Sequence, residues 1–296
     1  MKLNKDWIYL SIIIIATIIV FFPALSGVYL NWDDDLQIIN NVDVLNLSWQ
    51  SFKNYFSTFY VASYQPLASL SFGIEYFFFG NNPFVPHLTN LILHLLNVIL
   101  VYSLLKKIMT NQKVLVLFVV GAFAIHPLQA ELLGWVSTRS SLLYGGFFLL
   151  ACFEYQNYLV NKENNKKHYW FALLFFIMSL FSKASAVVLP FVLLLFDYLY
   201  YRKFTLKLFL EKVPFFSGSL VIGIVSLLSR RTADFQGSFN NYYTLYEKLS
   251  ISSYSVFQYI NKSFFPEDLF FFYGYPYKLA EGSSIGLKFL LAPLWI

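Results

Sequence analysis

The sequence predicts an all-α, polytopic bundle of membrane-spanning helices. Of its 296 residues, 58% are hydrophobic and only 12% are charged, whereas soluble domains average roughly 45–50% and 25%. Several apolar stretches approach or exceed the length of about 20 residues that a helix needs to cross a bilayer. Backbone amides in hydrocarbon must be satisfied within their own segment, so spans of this composition form helices. The surplus of apolar side chains excludes a soluble globular fold.

Each apolar stretch marks one predicted span. The first, 7–29, contains no charged residue and follows Lys2 and Lys5. A cleaved signal peptide is the alternative, but this apolar region exceeds the 7–15 residues of a signal's hydrophobic region, which favours a retained span. The remaining predicted spans are 87–105, 114–125, 140–158, 169–181, 186–201 and 213–229.

The charges of the loops predict the orientation, because short cytoplasmic loops collect Lys and Arg. Three basic clusters alternate with the spans and lie on the same side as the N-terminus: Lys106, Lys107 and Lys113; Lys162, Lys166 and Lys167; Arg202, Lys203, Lys207 and Lys212. The intervening connections, with short helices, then face the extracytoplasmic side: 30–66, 126–139, the turn at Lys183 and the extracytoplasmic or interfacial region 230–284. Within the last region, 242–265 suits an interfacial helix or an imperfect span. The clusters form no continuous basic face, so no nucleic-acid partner is expected.

The whole chain, 1–296, is expected to form one transmembrane domain. It ends inside an apolar segment that begins near Ile285, which predicts a fragment of a longer protein. Its Lys-, Asn-, Ile- and Phe-rich composition indicates an AT-rich genome and favours a bacterial plasma membrane over an endoplasmic reticulum. The single Cys152 cannot form an intramolecular disulfide, so the loops must hold their shape without one.

Three adjacent carboxylates, Asp33, Asp34 and Asp35, follow the first predicted span. Crowding of like charges raises at least one pKa and suits a proton acceptor or a metal ligand, provided that burial or a cation holds the group in place. The alternative is a solvated acidic loop, which charge runs usually are. A divalent cation is the one cofactor that the run suggests, and the sequence leaves the metal requirement open.

Three polar side chains, His87, Asn90 and His94, share one face of the second predicted span, because they are three and seven residues apart. Polar side chains in membrane helices are costly and often mark a functional path, so substrate binding is one interpretation. A hydrogen-bonding seam between helices is the other, and the spacing favours neither. A zinc site is not expected, since neither a Cys nor a third His lies nearby.

Cationic side chains recur at the predicted outer helix ends, namely Arg139, Lys183, Arg230 and Arg231. His126 and Glu131 share the short connection that leads to Arg139. A planar guanidinium suits a phosphate, to which it can donate two parallel hydrogen bonds. The alternatives for Arg139 are an ion pair with Glu131 or snorkelling to the lipid headgroups. Together these cations would surround a membrane-embedded anion.

Five blocks occur in a characteristic order along the chain. They are Trp32-Asp33-Asp34 with Asn41 and Asp43, Ser63-Tyr64-Gln65-Pro66-Leu67, His87-Leu88-Thr89-Asn90 through His94, Phe123-Ala124-Ile125-His126-Pro127 through Glu131 and Arg139, and Ser182-Lys183 before Asp197-Tyr198. The ordered set resembles the transmembrane O-mannosyltransferases that carry tetratricopeptide repeats, and their bacterial relatives, in the GT-C glycosyltransferase superfamily. Segment 265–276 also looks like the bacterial members. Three positions depart from the usual Arg, His and Glu of the family: Gln65, Gln129 and Ala184.

The resemblance implies a GT-C type membrane domain with an inverting glycosyltransferase activity. The implied donor is a polyprenyl or dolichyl phosphate monosaccharide, such as mannose. The implied acceptor is a protein Ser or Thr hydroxyl, or a glycan, on the extracytoplasmic face. In that mechanism Asp33 or Asp34 would take the acceptor proton, and Asp35 would be a solvated neighbour. The lipid phosphate would be stabilised by Arg139, Lys183, Arg230 or Arg231, and the reacting groups would be oriented by His87, His126 and Glu131.

Two other classes of function remain open. A transporter or flippase would use the buried His and Asp side chains as a polar path, although no inverted repeat is evident in the sequence. A non-catalytic assembly protein would keep the fold while lacking the Arg, His and Glu of the three departing positions.

Overall fold

A computed structural model describes residues 5–161, 165–231, 242–270, 273–276, 278 and 284–294 of the chain. The chain forms two compact units, Met1–Thr232 and Ala233–Ile296. In the described residues the regular structure is helical, apart from an isolated bridge between Tyr60 and Ser63. The predicted all-α class with short helices in the connections is therefore confirmed, while the expectation of one domain over 1–296 stays a prediction.

Eleven α-helices build the described part of the first unit. They are α1 Lys5–Phe21, α2 Val42–Leu45, α3 Trp49–Ser57, α4 Pro66–Phe79, α5 Phe84–Ile108, α6 Lys113–Ile125, α7 Gln129–Gly134, α8 Arg139–Val160, α9 Asn165–Ser182, α10 Leu189–Leu199 and α11 Leu206–Arg231. Tighter 3₁₀ turns, Phe22–Ser26, Val136–Thr138 and Ala184–Val188, follow α1 and precede α8 and α10. A π-helical turn, Asp35–Ile39, lies in the first connection.

Four helical segments in the described residues are long and apolar enough to cross a bilayer: Asp6–Ser26, Phe84–Ile108, Val136–Val160 and Leu206–Arg230. At about 1.5 Å per residue, 21 to 25 residues cover the hydrocarbon thickness of roughly 30 Å. The predicted spans 114–125 and 186–201 correspond to shorter apolar helices, Lys113–Ile125 and Ala184–Leu199. The predicted span 169–181 lies within α9. The chain is thus a multi-pass membrane protein.

Helix α4 is an element that the sequence analysis did not name. It begins with Pro66, whose fixed φ suits a first helical position, and it ends before Gly80 at a φ of 63°, which glycine adopts readily. Its buried side chains Ala68 and Phe72 pack in one apolar cluster with Tyr55 and Val136. This packing places α4 directly beside the connection that contains the acidic run.

The opposite end of the bundle, which carries the predicted cytoplasmic clusters, is held by ion pairs. Asp6 pairs with Lys106 at 2.8 Å and with Lys113, which fastens α1 to α5 and α6. Lys212, counted above as a loop charge, instead lies inside α11, fully buried and 2.8 Å from Asp197. A buried ammonium without a counter-charge would cost several kcal/mol. Lys212 therefore stabilises the packing of α11 against α10.

The second unit contains α12 Leu245–Phe264 and α13 Leu287–Leu290 among its described residues. A capping box begins α12, where the side chain of Thr244 accepts the Glu247 amide and that of Glu247 accepts the Thr244 amide. Glu247 also pairs with Lys278 at 2.9 Å. Exposed apolar side chains, among them Leu249 and Ile260, occur along α12. This amphipathic helix of 20 residues is long enough for a span but is not apolar enough, which favours the interfacial alternative.

Candidate active site

Asp34 is fully buried and joins the first connection to α8. One carboxylate oxygen accepts the Ser137 backbone N–H at 2.8 Å and the Ser137 hydroxyl, and the other accepts the Leu30 N–H at 2.9 Å. Ser137 lies at the start of the helical segment Val136–Val160, where the first amides have no partner within the helix. Asp34 therefore caps this segment and fixes the acidic run against it.

Asp33 has a different environment from its neighbour. It is partly buried, and no described side chain or amide makes a hydrogen bond or an ion pair with its carboxylate. Burial, together with the like charges of Asp34 and Asp35, raises the pKa of Asp33. Asp35 accepts the Leu36 N–H at 2.9 Å close to the surface. Of the three carboxylates, Asp33 thus has the properties of a proton acceptor.

Arg139 is buried completely, and its guanidinium is surrounded by protein groups. It forms an ion pair with Glu75 at 2.7 Å and lies 4.4 Å from the centre of the Phe72 ring. It also donates three hydrogen bonds, to the Asn90 side chain (2.9 Å), the Ser71 hydroxyl (3.2 Å) and the Pro86 carbonyl (2.9 Å). The anion at Arg139 is therefore a side chain of α4, and neither Glu131 nor the lipid headgroups. Binding of a phosphate by Arg139 stays a prediction. Sequence reasoning missed Glu75 because it lies in an apolar stretch that contains no other charge.

Lys183 approaches the same region through α8. Its ammonium donates to the Ser141 hydroxyl at 2.7 Å. Ser137, which holds Asp34, and Ser141 are four residues apart in one helical segment, and such positions are neighbours about 5–6 Å apart. Lys183 consequently lies about one helical turn from the Asp34 anchor. The exposed Glu131 is close enough to interact electrostatically with Lys183.

The remaining predicted residues lie around this end of the bundle. His126 ends α6, and its Nδ1 accepts the Leu128 N–H at 3.2 Å. Arg230 is exposed near the end of α11, directly after Ser229, whose hydroxyl donates to the Ala62 carbonyl of the first connection at 3.1 Å. The side chain of Arg231 lies outside the described residues. Arg230 is therefore an exposed cation on the side of the bundle that carries the first connection.

The polar side chains on one face of α5 make hydrogen bonds to backbone groups of other helices and turns. His87 bonds the Leu133 carbonyl at 3.0 Å, His94 bonds the Ala124 carbonyl at 2.9 Å, and Asn97 continues the pattern to the Leu142 carbonyl at 3.0 Å. Asn90 joins the carbonyls of Leu132 and Val136 to Arg139. These contacts form a hydrogen-bonding seam between helices, which is one of the two interpretations that the sequence allowed for these side chains. A role of His87, Asn90 or His94 in substrate binding stays a prediction.

The three positions that depart from the family pattern, Gln65, Gln129 and Ala184, carry uncharged side chains and contact uncharged groups. The buried Gln65 amide donates to the buried Gln37 side chain at 2.8 Å, and Gln129 donates to the Phe123 carbonyl at 3.3 Å. Ala184 opens the 3₁₀ turn after Lys183. No group of three His, Cys, Asp or Glu side chains gathers within the described ranges. The divalent cation suggested by the acidic run stays a prediction.

The fold and this site define a multi-pass helical membrane protein that carries a partly buried carboxylate, Asp33, and two cations, Lys183 and Arg230, at one end of its bundle. The curated proteins that are similar to this chain include the following three, each named a protein O-mannosyl-transferase. TMTC1 of Mus musculus is 35% identical over 155 residues, TMTC1 of Homo sapiens 33% over 154 and Tmtc1 of Drosophila melanogaster 30% over 129. The chain is thus similar to this group of transferases, which confirms the resemblance drawn from the residue blocks.

The similarity covers a part of each protein. The matched segments make up 49%, 49% and 42% of this chain but only 16%, 17% and 14% of the three relatives. No family model matches the chain, and no solved structure matches it.

Proposed function

We propose that this chain is a membrane glycosyltransferase that transfers mannose from a polyprenyl or dolichyl phosphate carrier to a hydroxyl group of a protein. The free, partly buried carboxylate of Asp33, with its raised pKa, is the observation on which this proposal rests. The names of the similar relatives support mannose as the sugar and protein as the acceptor. The site is proposed to face the extracytoplasmic side of a bacterial plasma membrane.

The proposed reaction is a single displacement. The acceptor oxygen forms a bond to the anomeric carbon, the bond between that carbon and the phosphate oxygen breaks, and its electron pair leaves with the lipid phosphate. Asp33 takes the hydroxyl proton as the nucleophile attacks. Attack from the face opposite the leaving group inverts the configuration at the anomeric carbon.

The other site residues divide into supporting and electrostatic roles. Asp34 positions Asp33, because its three hydrogen bonds hold the acidic run on the first turn of the segment Val136–Val160. Lys183 and Arg230 stabilise the charge that develops on the departing phosphate. Arg139 has a structural role beside the site and does not bind the phosphate in this proposal, because Glu75 already neutralises its charge.

The test compares three matched Asp→Asn variants in membranes supplied with dolichyl phosphate mannose and a Ser/Thr peptide. Asp33→Asn should lower mannose transfer by about 100-fold or more, the usual contribution of a general base, without lowering the melting temperature. Asp34→Asn should lower both transfer and stability, because its anchoring contacts weaken. Asp35→Asn is the control and should transfer mannose at close to the wild-type rate at neutral pH.

Each alternative outcome has a distinct meaning. Equal transfer by Asp33→Asn and wild type would remove the base assignment. A folded wild type that transfers no mannose would contradict the proposed activity and favour the assembly protein. The transporter alternative has less support than the transferase, because His87, His94 and Asn97 each bond a backbone carbonyl of a neighbouring segment.

A further inference from the structure

A small recess lies beneath the connection that carries Asp33. Tyr29 and Ile38, which stand on either side of the acidic run, line it together with Glu75 and Tyr76 of α4. Its volume of about 10 Å³ is sufficient for one water molecule or one hydroxyl group. The acidic run is therefore flanked on both sides by residues that face one hydroxyl-sized space.

The recess offers a hydrogen-bond acceptor and donors in the same place. The buried Oε2 of Glu75 lies 2.7 Å from the Arg139 guanidinium, but it makes no hydrogen bond with Arg139 or with any other described group. The Tyr29 and Tyr76 hydroxyls likewise have no hydrogen-bond partner among the described residues. Tyr29 also lies within the electrostatic range of both Glu75 and Asp34. A hydroxyl group can donate to a carboxylate and accept from a tyrosine, so it satisfies both kinds of group.

We propose that the Tyr29–Glu75 recess binds a hydroxyl of the donor sugar and contributes to the choice of sugar. This inference rests on the proposed function. The acceptor hydroxyl must reach Asp33, and a Ser or Thr side chain has no second hydroxyl to place elsewhere, whereas a hexose has several. The recess is too small for a phosphate group and its ion pair is already neutral, so a neutral hydroxyl group is the matching chemistry. One hydroxyl of the sugar therefore occupies the recess, while the anomeric carbon lies outside it and faces the attacking oxygen.

The experiment measures binding separately from turnover. Dolichyl phosphate mannose and its 2-, 3-, 4- and 6-deoxy analogues are titrated into Asp33→Asn protein, with and without Tyr29→Phe. Tyr29→Phe removes one hydroxyl and keeps the ring, and it should weaken mannose binding by roughly tenfold, the value of one hydrogen bond. One deoxy analogue should bind both proteins equally, because the hydroxyl that Tyr29 contacts is already missing from it.

The control is Tyr9→Phe, an exposed tyrosine of α1 at the opposite end of the bundle, which should leave every affinity unchanged. Equal binding of all analogues by the Asp33→Asn and Asp33→Asn/Tyr29→Phe proteins would overturn the inference and leave the proposed function standing. Absence of donor binding to a folded protein would overturn both. The Ser/Thr peptide is titrated in parallel, and a Tyr29→Phe loss that appears only for this peptide would assign the recess to the acceptor and would also overturn the inference.

Glu75→Gln provides a second measurement. It keeps the size of the side chain, but it removes both the acceptor charge and the counter-charge of Arg139, so a lower melting temperature is expected. If it remains folded, it should lose discrimination against the same analogue as Tyr29→Phe. Discrimination against a different analogue, or against none, would contradict a shared subsite.

Discussion

Neighbouring carboxylates in this protein differ in their surroundings, because their hydrogen-bond partners differ. Asp34 makes three hydrogen bonds and is buried, whereas Asp33 makes none with the described residues and is partly exposed. An aspartate that holds a helix terminus is already engaged, while an unpartnered one with a raised pKa can take a proton. The proposed assignment of Asp33 as the general base therefore rests on contacts made by single side chains.

The pH dependence of transfer tests the environment of Asp33. Wild-type activity should fall as the pH drops through the raised Asp33 pKa, because the protonated carboxyl cannot accept the acceptor proton. Asp35→Asn removes one like charge, so the Asp33 pKa should fall and the acid limb should move to lower pH. Initial rates of mannose transfer across a pH series measure this shift. An acid limb that stays in place would contradict the electrostatic coupling.

Gly27 is required by a close approach of His87. A Cβ atom at Gly27 would lie 2.7 Å from Nε2 of His87, whose Nδ1 is bound to the Leu133 carbonyl. Gly27→Ala should therefore destabilise the protein by about 1–3 kcal/mol through overpacking, as measured by thermal unfolding in detergent. Gly121→Ala is the matched control, because no atom lies within 4 Å of the added Cβ. Equal melting temperatures of the two variants would argue against this contact.

At the scale of helices, buried polar groups connect elements that are distant in the sequence. Arg139 at the start of α8 contacts α4 through Ser71 and Glu75, and α5 through Pro86 and Asn90. The next turns of α5 continue the seam to α6 and α8 through His94 and Asn97. These bonds align the helix ends from which the candidate site is built.

Replacement of Arg139 by Lys tests whether this side chain stabilises the fold, whereas Arg230 is proposed to act in mannose transfer. Lys keeps the charge, but it lacks the planar fork that reaches Glu75, Asn90 and Pro86 together. Arg139→Lys should lower the free energy of unfolding by about 3 kcal/mol, near the cost of disrupting a buried ion pair. Arg230→Lys, at an exposed position, should leave unfolding unchanged and should lower mannose transfer. Equal stability loss in both variants would contradict the distinct roles.

At the scale of the whole molecule, the two ends of the first unit carry different chemistry. One end has the acidic run, Lys183 and Arg230, and the other has the Asp6 ion pairs and the buried Lys212–Asp197 pair. The basic loops predict that the second end is cytoplasmic. The proposed reaction requires the first end to face the extracytoplasmic side.

Cysteine labelling tests this orientation. Cys152 is the only cysteine and is buried, so the background should be low. Asn81 and Asn111 are exposed at opposite ends of α5. An impermeant maleimide should label Asn81→Cys in intact cells and Asn111→Cys only after permeabilisation. The reverse pattern would place the candidate site on the cytoplasmic side.

The sequence by itself determined the class of the protein, the approximate positions of the four helices that are long and apolar enough to cross a bilayer, and the location of the acidic run. These features are local, because hydropathy is summed over a short window and a charge run is visible where it occurs. The sequence also placed His87, Asn90 and His94 on one face, but it could not choose between a seam and a substrate path.

Only the tertiary structure decided which polar groups are already partnered. Glu75 neutralises Arg139, Ser137 holds Asp34, and Asp197 neutralises Lys212, in each case between two different segments of the chain. A partner from a distant part of the chain leaves no periodic signal in the sequence. Burial makes such a partner obligatory, because an unpaired charge away from water is costly. For this reason the packing of the helices, and not the order of the residues, decides that Asp34 has a hydrogen-bond partner from another segment while Asp33 has none among the described residues.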